Sequence, residues 1–179
     1  DRMMSRGLGD VYKRQRPLSI KALQNYSYES LFKWTHFNPV QTQLFPTVYH
    51  GDKNILLGAP TGSGKTVVAE LAMMRLWRTS SQGKIVYIAP LKALARERHL
   101  DWKKKYSSPS LVVKNVVQLT GDVTPDIMAL KRADIIITTP EKWDGVSRYW
   151  HRRSYVQKVE LVIIDEIHLL GEDRGPVLE

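Results

Sequence analysis

The segment that most constrains the fold is Ala59–Thr66, which reads Ala-Pro-Thr-Gly-Ser-Gly-Lys-Thr. It follows a mostly apolar run at residues 54–57, which we predict to be a strand, and it opens a helical pattern over residues 65–78. Glycines allow backbone amides to turn toward a phosphate, and the helix start adds its unpaired amides. A strand, such a loop and a helix make a P-loop, so the sequence predicts a nucleotide-binding α/β domain.

Each residue of this loop is a candidate contact for ATP and Mg²⁺. Lys65 would reach the β- and γ-phosphates, and the Thr66 hydroxyl would bind Mg²⁺. Ala59 stands where the strict pattern has glycine, with Gly58 just before it. A turn with a surface lysine is the alternative, which the intact Gly-Lys-Thr disfavours. The candidate contacts are Ala59, Pro60, Thr61, Gly62, Ser63, Gly64, Lys65 and Thr66.

A second motif, Leu161–His168, has four apolar residues followed by Asp165 and Glu166. The acids follow a predicted buried strand, and ligands bind at the carboxyl ends of strands in open α/β sheets. Asp165 would hold Mg²⁺, and Glu166 would orient or deprotonate the attacking water. Alone, this pattern more often marks a strand followed by an acidic surface turn. Its combination with the P-loop favours the catalytic interpretation.

Alternating strand and helix patterns fill the rest of the chain and predict an α/β fold with a doubly wound, mainly parallel sheet. Further strands are predicted at residues 84–89, 112–119, 134–138 and 160–164, and further helices at 91–105, 125–132 and 141–156. Trp143 and Trp150 would share one face of the last helix and pack in the core. Short helices at residues 19–25 and 28–34, then one from Asn38 to about His50, precede the loop.

These patterns divide the chain into three parts. Residues 1–16 lack periodicity and are interpreted as a non-native or disordered extension. Residues 17–50 form a helical lead-in, and residues 51–179 form the nucleotide-binding domain.

Composition narrows the class of partner and chemistry. Lysine and arginine total 27 against 18 acids, a net charge of +9, which suits a polyanion partner or a solvated basic surface. The absence of cysteine from the sequence excludes disulfides, thiol catalysis and cysteine zinc sites. Because no apolar run approaches the roughly 20 residues of a membrane helix, we expect no membrane association.

Asp165-Glu166-Ile167-His168, together with Ala59–Thr66, resembles the DExH box and Walker A motif of superfamily 2 helicases. Residues 37–43, 138–148 and 163–179 are similar to the superkiller-like branch, and especially to its large members with two helicase cassettes. The resemblance covers residues 18–179. It implies a RecA-like domain, incomplete at its C-terminus, of an ATP-dependent 3′-to-5′ helicase acting on RNA or DNA.

The resemblance also implies roles for individual residues. Gln41 would contact adenine, although the residues alone equally allow a place on a helix surface. His168 would couple the nucleotide site to later motifs, although a lone histidine more often packs or caps a helix. The catalytic set is Lys65, Asp165, Glu166 and His168, and the metal ligands are Thr66 and Asp165.

Three turns after predicted strands resemble the nucleic-acid-binding motifs of these helicases. Hydroxyls and backbone amides at such turns contact phosphates rather than bases, so binding would be sequence-independent and salt-sensitive. The candidate contacts are Pro90, Leu91, Lys92, Thr120, Gly121, Thr139 and Pro140.

The implied partners are single-stranded or partly duplex nucleic acid, a second RecA-like domain of the same parent chain and a multi-subunit complex in the nucleus or cytosol. Without that second domain, the chain is expected to hydrolyse ATP very slowly. A central strand is expected beyond residue 179, so its neighbours would be exposed.

Two alternative functions remain open at this point. One is a regulatory or scaffold cassette that binds nucleotide with little unwinding of its own, which the intact Lys65, Thr66, Asp165 and Glu166 disfavour. The other is a different P-loop motor, such as a GTPase or a protein translocase. This is disfavoured because no Asn-Lys-x-Asp motif is present.

Overall fold

The computed structural model describes residues 16–167, which belong to two compact units, one ending at Arg78 and the next beginning at Thr79. Residues 1–15 of the expected extension and His168 lie outside the described residues. Within the described part, no helix has both the length and the apolar character needed to cross a membrane.

The first unit is helical in its described part. Short helices precede the loop and one long helix follows it, as the sequence predicts, but the helix predicted at residues 28–34 is wrong, because only its first two residues are helical. The elements are a 3-10 helix at Ile20–Leu23, α1 at Tyr26–Glu29, α2 at Pro39–Phe45 with a π-helical extension at Pro46–His50, and α3 at Lys65–Thr79.

A row of aromatic rings fixes α2 in this unit. Phe37, just before the helix, lies 5.5 Å from Phe45, which stacks on Tyr49 with 4.9 Å between ring centroids. The Tyr49 hydroxyl donates to the Leu23 carbonyl at 2.9 Å. Because these rings are buried, they hold the start of α2 in one place.

The second unit is built on four parallel strands in the order β2-β3-β1-β4, which confirms the predicted parallel α/β architecture. The strands are β1 at Lys84–Ile88, β2 at Val116–Leu119, β3 at Ile135–Thr138 and β4 at Val159–Ile164. The helices are α4 at Lys92–Lys105, α5 at Ile127–Arg132, α6 at Pro140–Ser147 and α7 at Ser154–Gln157, with a 3-10 helix at Trp150–Arg152.

The register brings the carboxyl ends of the strands together. Ile88 lies opposite Thr138 on one side and Ile164 on the other, and Leu119 lies opposite Thr138. The residues that follow these positions therefore meet at one edge of the sheet. All five residues of β1 are buried, as expected for a strand covered on both faces.

One predicted strand is wrong. Residues 54–57 form no strand, and Ile55 and Leu56 are 40% and 79% exposed. A strand depends on a neighbour for its hydrogen bonds and for burial, and no strand of the described part pairs with this run. The outer side of β4 is likewise unpaired among the described strands, and Val162 on it is 48% exposed.

The predicted helix at residues 141–156 is also wrong as a single element, because α6 ends at Ser147 and a 3-10 turn follows. Gly145 and the β-branched Val146 weaken helix formation near this end. Trp143 packs against the core cluster as predicted. Trp150 falls in the 3-10 turn and is 59% exposed, so the prediction that it packs in the core is wrong.

Candidate nucleotide and nucleic-acid sites

The loop at residues 59–66 turns at two glycines that have positive φ angles. Gly62 and Gly64 have φ angles of +79° and +87°, a region that side chains disfavour. Helix α3 begins at Lys65, directly after the second of these glycines. The Lys65 ammonium donates to the Ala59 carbonyl at 3.0 Å, so the loop closes on itself around its own lysine.

Helix α3 is anchored well enough to fix this loop. Its 15 residues include Leu71, Met73 and Met74, which are fully buried. Leucine and methionine are both good helix formers. The first-turn amides that would face a phosphate therefore belong to a helix fixed along its length.

The residues of the loop fit ATP and Mg²⁺ chemically. The Ser63 hydroxyl oxygen is buried and has no hydrogen-bond partner among the described residues, so a polar group is available in the loop. Lys65 supplies a cation, and Thr66 supplies a hydroxyl of the kind that binds Mg²⁺.

Gln41 is buried rather than placed on a helix surface, so the surface alternative is wrong. Its amide oxygen accepts from the Asn38 amide at 3.0 Å, and its Nε2 donates to the Gly64 carbonyl at 3.4 Å. Asn38 donates from Nδ2 to the Ser63 carbonyl at 2.8 Å. This contact of Asn38 was not predicted from the sequence, although the position of Asn38 just before the helix start was an available signal.

The acidic turn lies at the end of β4. The Asp165 amide donates to the Ile88 carbonyl at 3.0 Å, which places Asp165 beside the end of β1. Its carboxylate accepts from the Glu166 amide at 3.0 Å and from the Tyr87 hydroxyl at 2.5 Å. Burial, and then the contact with Asp165, raises the pKa of Tyr87, so its hydroxyl stays a donor at neutral pH.

Tyr87 is a site residue that the sequence analysis missed. The tyrosine among the buried isoleucine and valine residues of β1 was the signal, because a buried hydroxyl needs a partner.

Glu166 has an unusual backbone, with φ at +53°. This left-handed conformation disfavours any residue with a Cβ atom by about 1–2 kcal/mol. Strain of this kind is concentrated at functional sites, so it agrees with a chemical role for Glu166. His168, the last residue of the predicted catalytic set, lies outside the described residues.

Four of the seven predicted nucleic-acid contacts line one cavity in the second unit. The cavity has a volume of about 370 Å³, and its lining residues are Pro90, Lys92, Gly121, Thr139, Glu141 and Lys142. Leu91, Thr120 and Pro140 flank these residues in the chain without lining the cavity. Glu141 and Lys142 were not predicted from the sequence.

Two helix starts lie beside this cavity. The N-cap residues of α4 and α6, Leu91 and Thr139, make no side-chain capping bond within the described chain. Their first-turn amides and the nearby Lys92 and Lys142 therefore offer donors and positive charge to a phosphate.

Thr120 shapes the turn between these helix starts instead of facing the cavity. It is fully buried, and its amide donates to the Val123 carbonyl at 2.8 Å. Its hydroxyl accepts from Gln118 and donates to Asp122 at 2.9 Å. That bond, with lesser help from Lys92, lowers the pKa of Asp122.

The family model and the similar proteins point to the same kind of protein. The DEAD/DEAH box helicase model matches residues 38–179. Activating signal cointegrator 1 complex subunit 3 of Danio rerio is 63% identical over 164 residues, which are 92% of this chain and 11% of that protein. The DExH-box ATP-dependent RNA helicase DExH14 of Arabidopsis thaliana is also 63% identical, over 92% of this chain and 8% of its own length.

The fold is shared with a solved helicase structure. Mss116p bound to ssRNA and AMP-PNP superposes with a TM-score of 0.71 at 21% identity, over 92% of this chain and 36% of that chain. The present chain thus spans about a tenth of the length of the two relatives above. The family match over most of the chain and the shared fold agree, and the chain belongs to the DEAD/DEAH box helicase family.

Proposed function

We propose that this chain is the first RecA-like motor domain of an ATP-dependent 3′-to-5′ nucleic-acid helicase. The observation that carries the proposal is the loop at residues 59–66, where two glycines at positive φ lead directly into α3. Its amides and Lys65 can together bind a chain of phosphates. The name of the Arabidopsis relative, an ATP-dependent RNA helicase, supports the same activity.

The remaining residues of the two motifs would have separate roles in ATP hydrolysis. Thr66 and Asp165 would hold Mg²⁺, which neutralises phosphate charge when bound. Glu166 would accept a proton from the attacking water, a task that suits a carboxylate held just after a strand end. We propose that a second RecA-like domain of the same parent chain completes the site.

The cavity in the second unit would bind the backbone of single-stranded or partly duplex RNA or DNA. Lys92 and Lys142 would neutralise phosphates, while the turns at Gly121 and Thr139 would bring main-chain groups close to the strand. Such contacts are independent of sequence. Similarity to a named complex subunit supports a place in a multi-subunit complex, and we propose the nucleus or cytosol as its location.

ATP turnover of the full-length protein tests the motor. We expect single-stranded RNA or DNA to stimulate it, and we expect Lys65→Ala to abolish ATP binding. Glu166→Gln should retain ATP binding but lower turnover by about 10²–10⁴-fold, because the general base is lost. Nucleotide binding without stimulated turnover would instead indicate a regulatory cassette.

Salt-dependent binding of single-stranded RNA tests the cavity. Lys92→Ala and Lys142→Ala should each weaken binding and reduce the slope of log K against log salt by about 0.7, the loss of one phosphate contact. Lys104→Ala is the matched control, because Lys104 is exposed near the other end of the helix that Lys92 begins. Equal effects of all three substitutions would refute a specific role for the cavity.

A further inference from the structure

The side chain of Asn38 makes two different bonds. Its Oδ1 accepts from the Gln41 amide at 2.9 Å, which caps helix α2. Its Nδ2 donates to the Ser63 carbonyl at 2.8 Å, in the phosphate-binding loop. An asparagine can do both because its amide has an acceptor at one end and a donor at the other.

Gln41 repeats this arrangement one turn later. Its Oε1 accepts from the Asn38 amide at 3.0 Å and completes a capping box. Its Nε2 donates to the Gly64 carbonyl at 3.4 Å. Two successive carbonyls of the loop are thus each held by a side-chain amide from the start of one helix.

Holding these carbonyls also fixes the direction of the loop amides. A trans peptide is planar, with its carbonyl and its N–H pointing to opposite sides. When Asn38 holds the Ser63 carbonyl, the Gly64 N–H must therefore point away from α2. The bond from Gln41 to the Gly64 carbonyl does the same for the Lys65 N–H.

Gly64 fits tightly between these two side chains. A Cβ atom at this position would lie 2.9 Å from the Asn38 Nδ2 and would collide with the Gln41 Nε2. Real Cβ contacts are essentially never this short. Glycine is therefore needed here for two reasons: a side chain would collide with the two amides, and the backbone has a φ of +87°.

We propose that Asn38 is a positioning residue of the nucleotide site. Through the Ser63 carbonyl it sets the direction of a phosphate-binding amide, and it acts without touching the base. This proposal rests on the proposed function, namely that the loop binds a nucleoside triphosphate. The resemblance implies a contact with adenine for Gln41, whereas the contacts of Asn38 predict an effect that is the same for every base.

Asn38→Ser separates the two bonds. Serine caps a helix about as well as asparagine, but its short hydroxyl cannot extend to the Ser63 carbonyl. In the full-length protein we expect the Kd for ATP and the Kd for GTP to rise together by about fivefold, the effect of one lost hydrogen bond. The melting temperature should fall by no more than the loss of this one hydrogen bond explains, because the cap is kept. Asn38→Thr gives a second test on the same grounds.

Asn25→Ser is the matched control. Asn25 caps α1 through a bond from the Tyr28 amide at 3.2 Å, in the same unit as the loop. It should leave both Kd values unchanged.

Three outcomes would overturn the proposal. One is an Asn38→Ser protein that binds ATP within twofold of the wild type. Another is a loss confined to ATP, because that would assign Asn38 to base recognition. A wild type that binds neither nucleotide would refute the proposed function itself, which the first two outcomes leave intact.

Discussion

The Asp165 carboxylate is held on both of its oxygens, by the Tyr87 hydroxyl and by the Glu166 amide. Its place after an apolar run was predictable because the motif is short and local. Tyr87 was not predictable in this way, since it is 78 residues away and reaches Asp165 only through strand pairing. The loop shows the same division, because its glycines form a local pattern whereas Asn38 contacts Ser63 across 25 residues.

Tyr87→Phe tests the orientation of Asp165. The substitution removes one hydroxyl and keeps the ring, which packs edge-on against Trp102 with 4.9 Å between centroids. We expect the Mg²⁺ concentration for half-maximal ATP turnover to rise about tenfold, as is usual when the partner of a metal-ligating residue is lost. The Mg²⁺ dependence of ATP binding should shift with it.

Tyr155→Phe is the control for this substitution. It also removes a hydroxyl from a buried tyrosine of the second unit, one that accepts from Arg153 at 3.1 Å. If both variants have the Mg²⁺ dependence of the wild type, Tyr87 does not position Asp165.

Among the elements, helices were predicted best where their patterns are local. Helices α3 and α4 match the predicted spans closely because their apolar spacing, glycines and prolines all lie within or beside them. The run at residues 54–57 has strand composition, but composition does not supply a neighbouring strand. The end of α6 at Ser147 does have a local signal in Gly145 and Val146, which the prediction of one helix over residues 141–156 did not use.

A buried lysine from β1 binds the C-terminal end of helix α5. The Lys84 ammonium donates to the Lys131 carbonyl at 2.8 Å and to the Ala133 carbonyl, at a helix end where carbonyls otherwise remain unpaired. Burial lowers the pKa of Lys84, and the nearby Asp134 opposes this shift. The first of these bonds joins a strand to a helix end, between two residues that are 47 positions apart in the chain.

Lys84→Met tests this connection. Methionine keeps the apolar stem but leaves the buried carbonyls without their donor, so we expect unfolding to become easier by about 1–3 kcal/mol. Urea unfolding followed by circular dichroism would measure the change. Lys158→Met should leave the free energy of unfolding nearly unchanged. Lys158 is exposed, and the hydrogen bond described for its ammonium goes to the Gln82 side chain and not to a helix end. Equal effects would show that the helix end does not depend on Lys84.

At the scale of the whole molecule, the sheet was predictable as a class but not in its strand order. The buried aliphatic runs indicated parallel strands, and four of the five predicted strands are present, although the strand predicted at residues 112–119 covers only Val116–Leu119. Their order, with β1 between β3 and β4, depends on long-range pairing. The expectation of exposed strand edges agrees with the exposed side of β4 among the described strands.

Val162→Lys tests the exposed side of β4. An unpaired apolar strand favours edge-to-edge association, and a lysine on it opposes this pairing. We expect the 179-residue chain alone to self-associate as its concentration rises, and the variant to do so less, in sedimentation velocity. Val113→Lys is the control, since Val113 is 61% exposed outside any strand. A wild-type chain that stays monomeric throughout would contradict the prediction.

The last residues of β1 are bound on both sides. The Ile88 carbonyl accepts from the Asp165 amide, and the next amide, that of Ala89, donates to the Thr138 carbonyl at 2.9 Å. Pro90, which follows at once, lines the cavity proposed for nucleic acid. These two backbone hydrogen bonds fix the end of β1 to both neighbouring strands. If nucleic acid binds at Pro90 as proposed, a displacement of Pro90 would therefore reach Asp165 through Ala89, Ile88 and one backbone hydrogen bond.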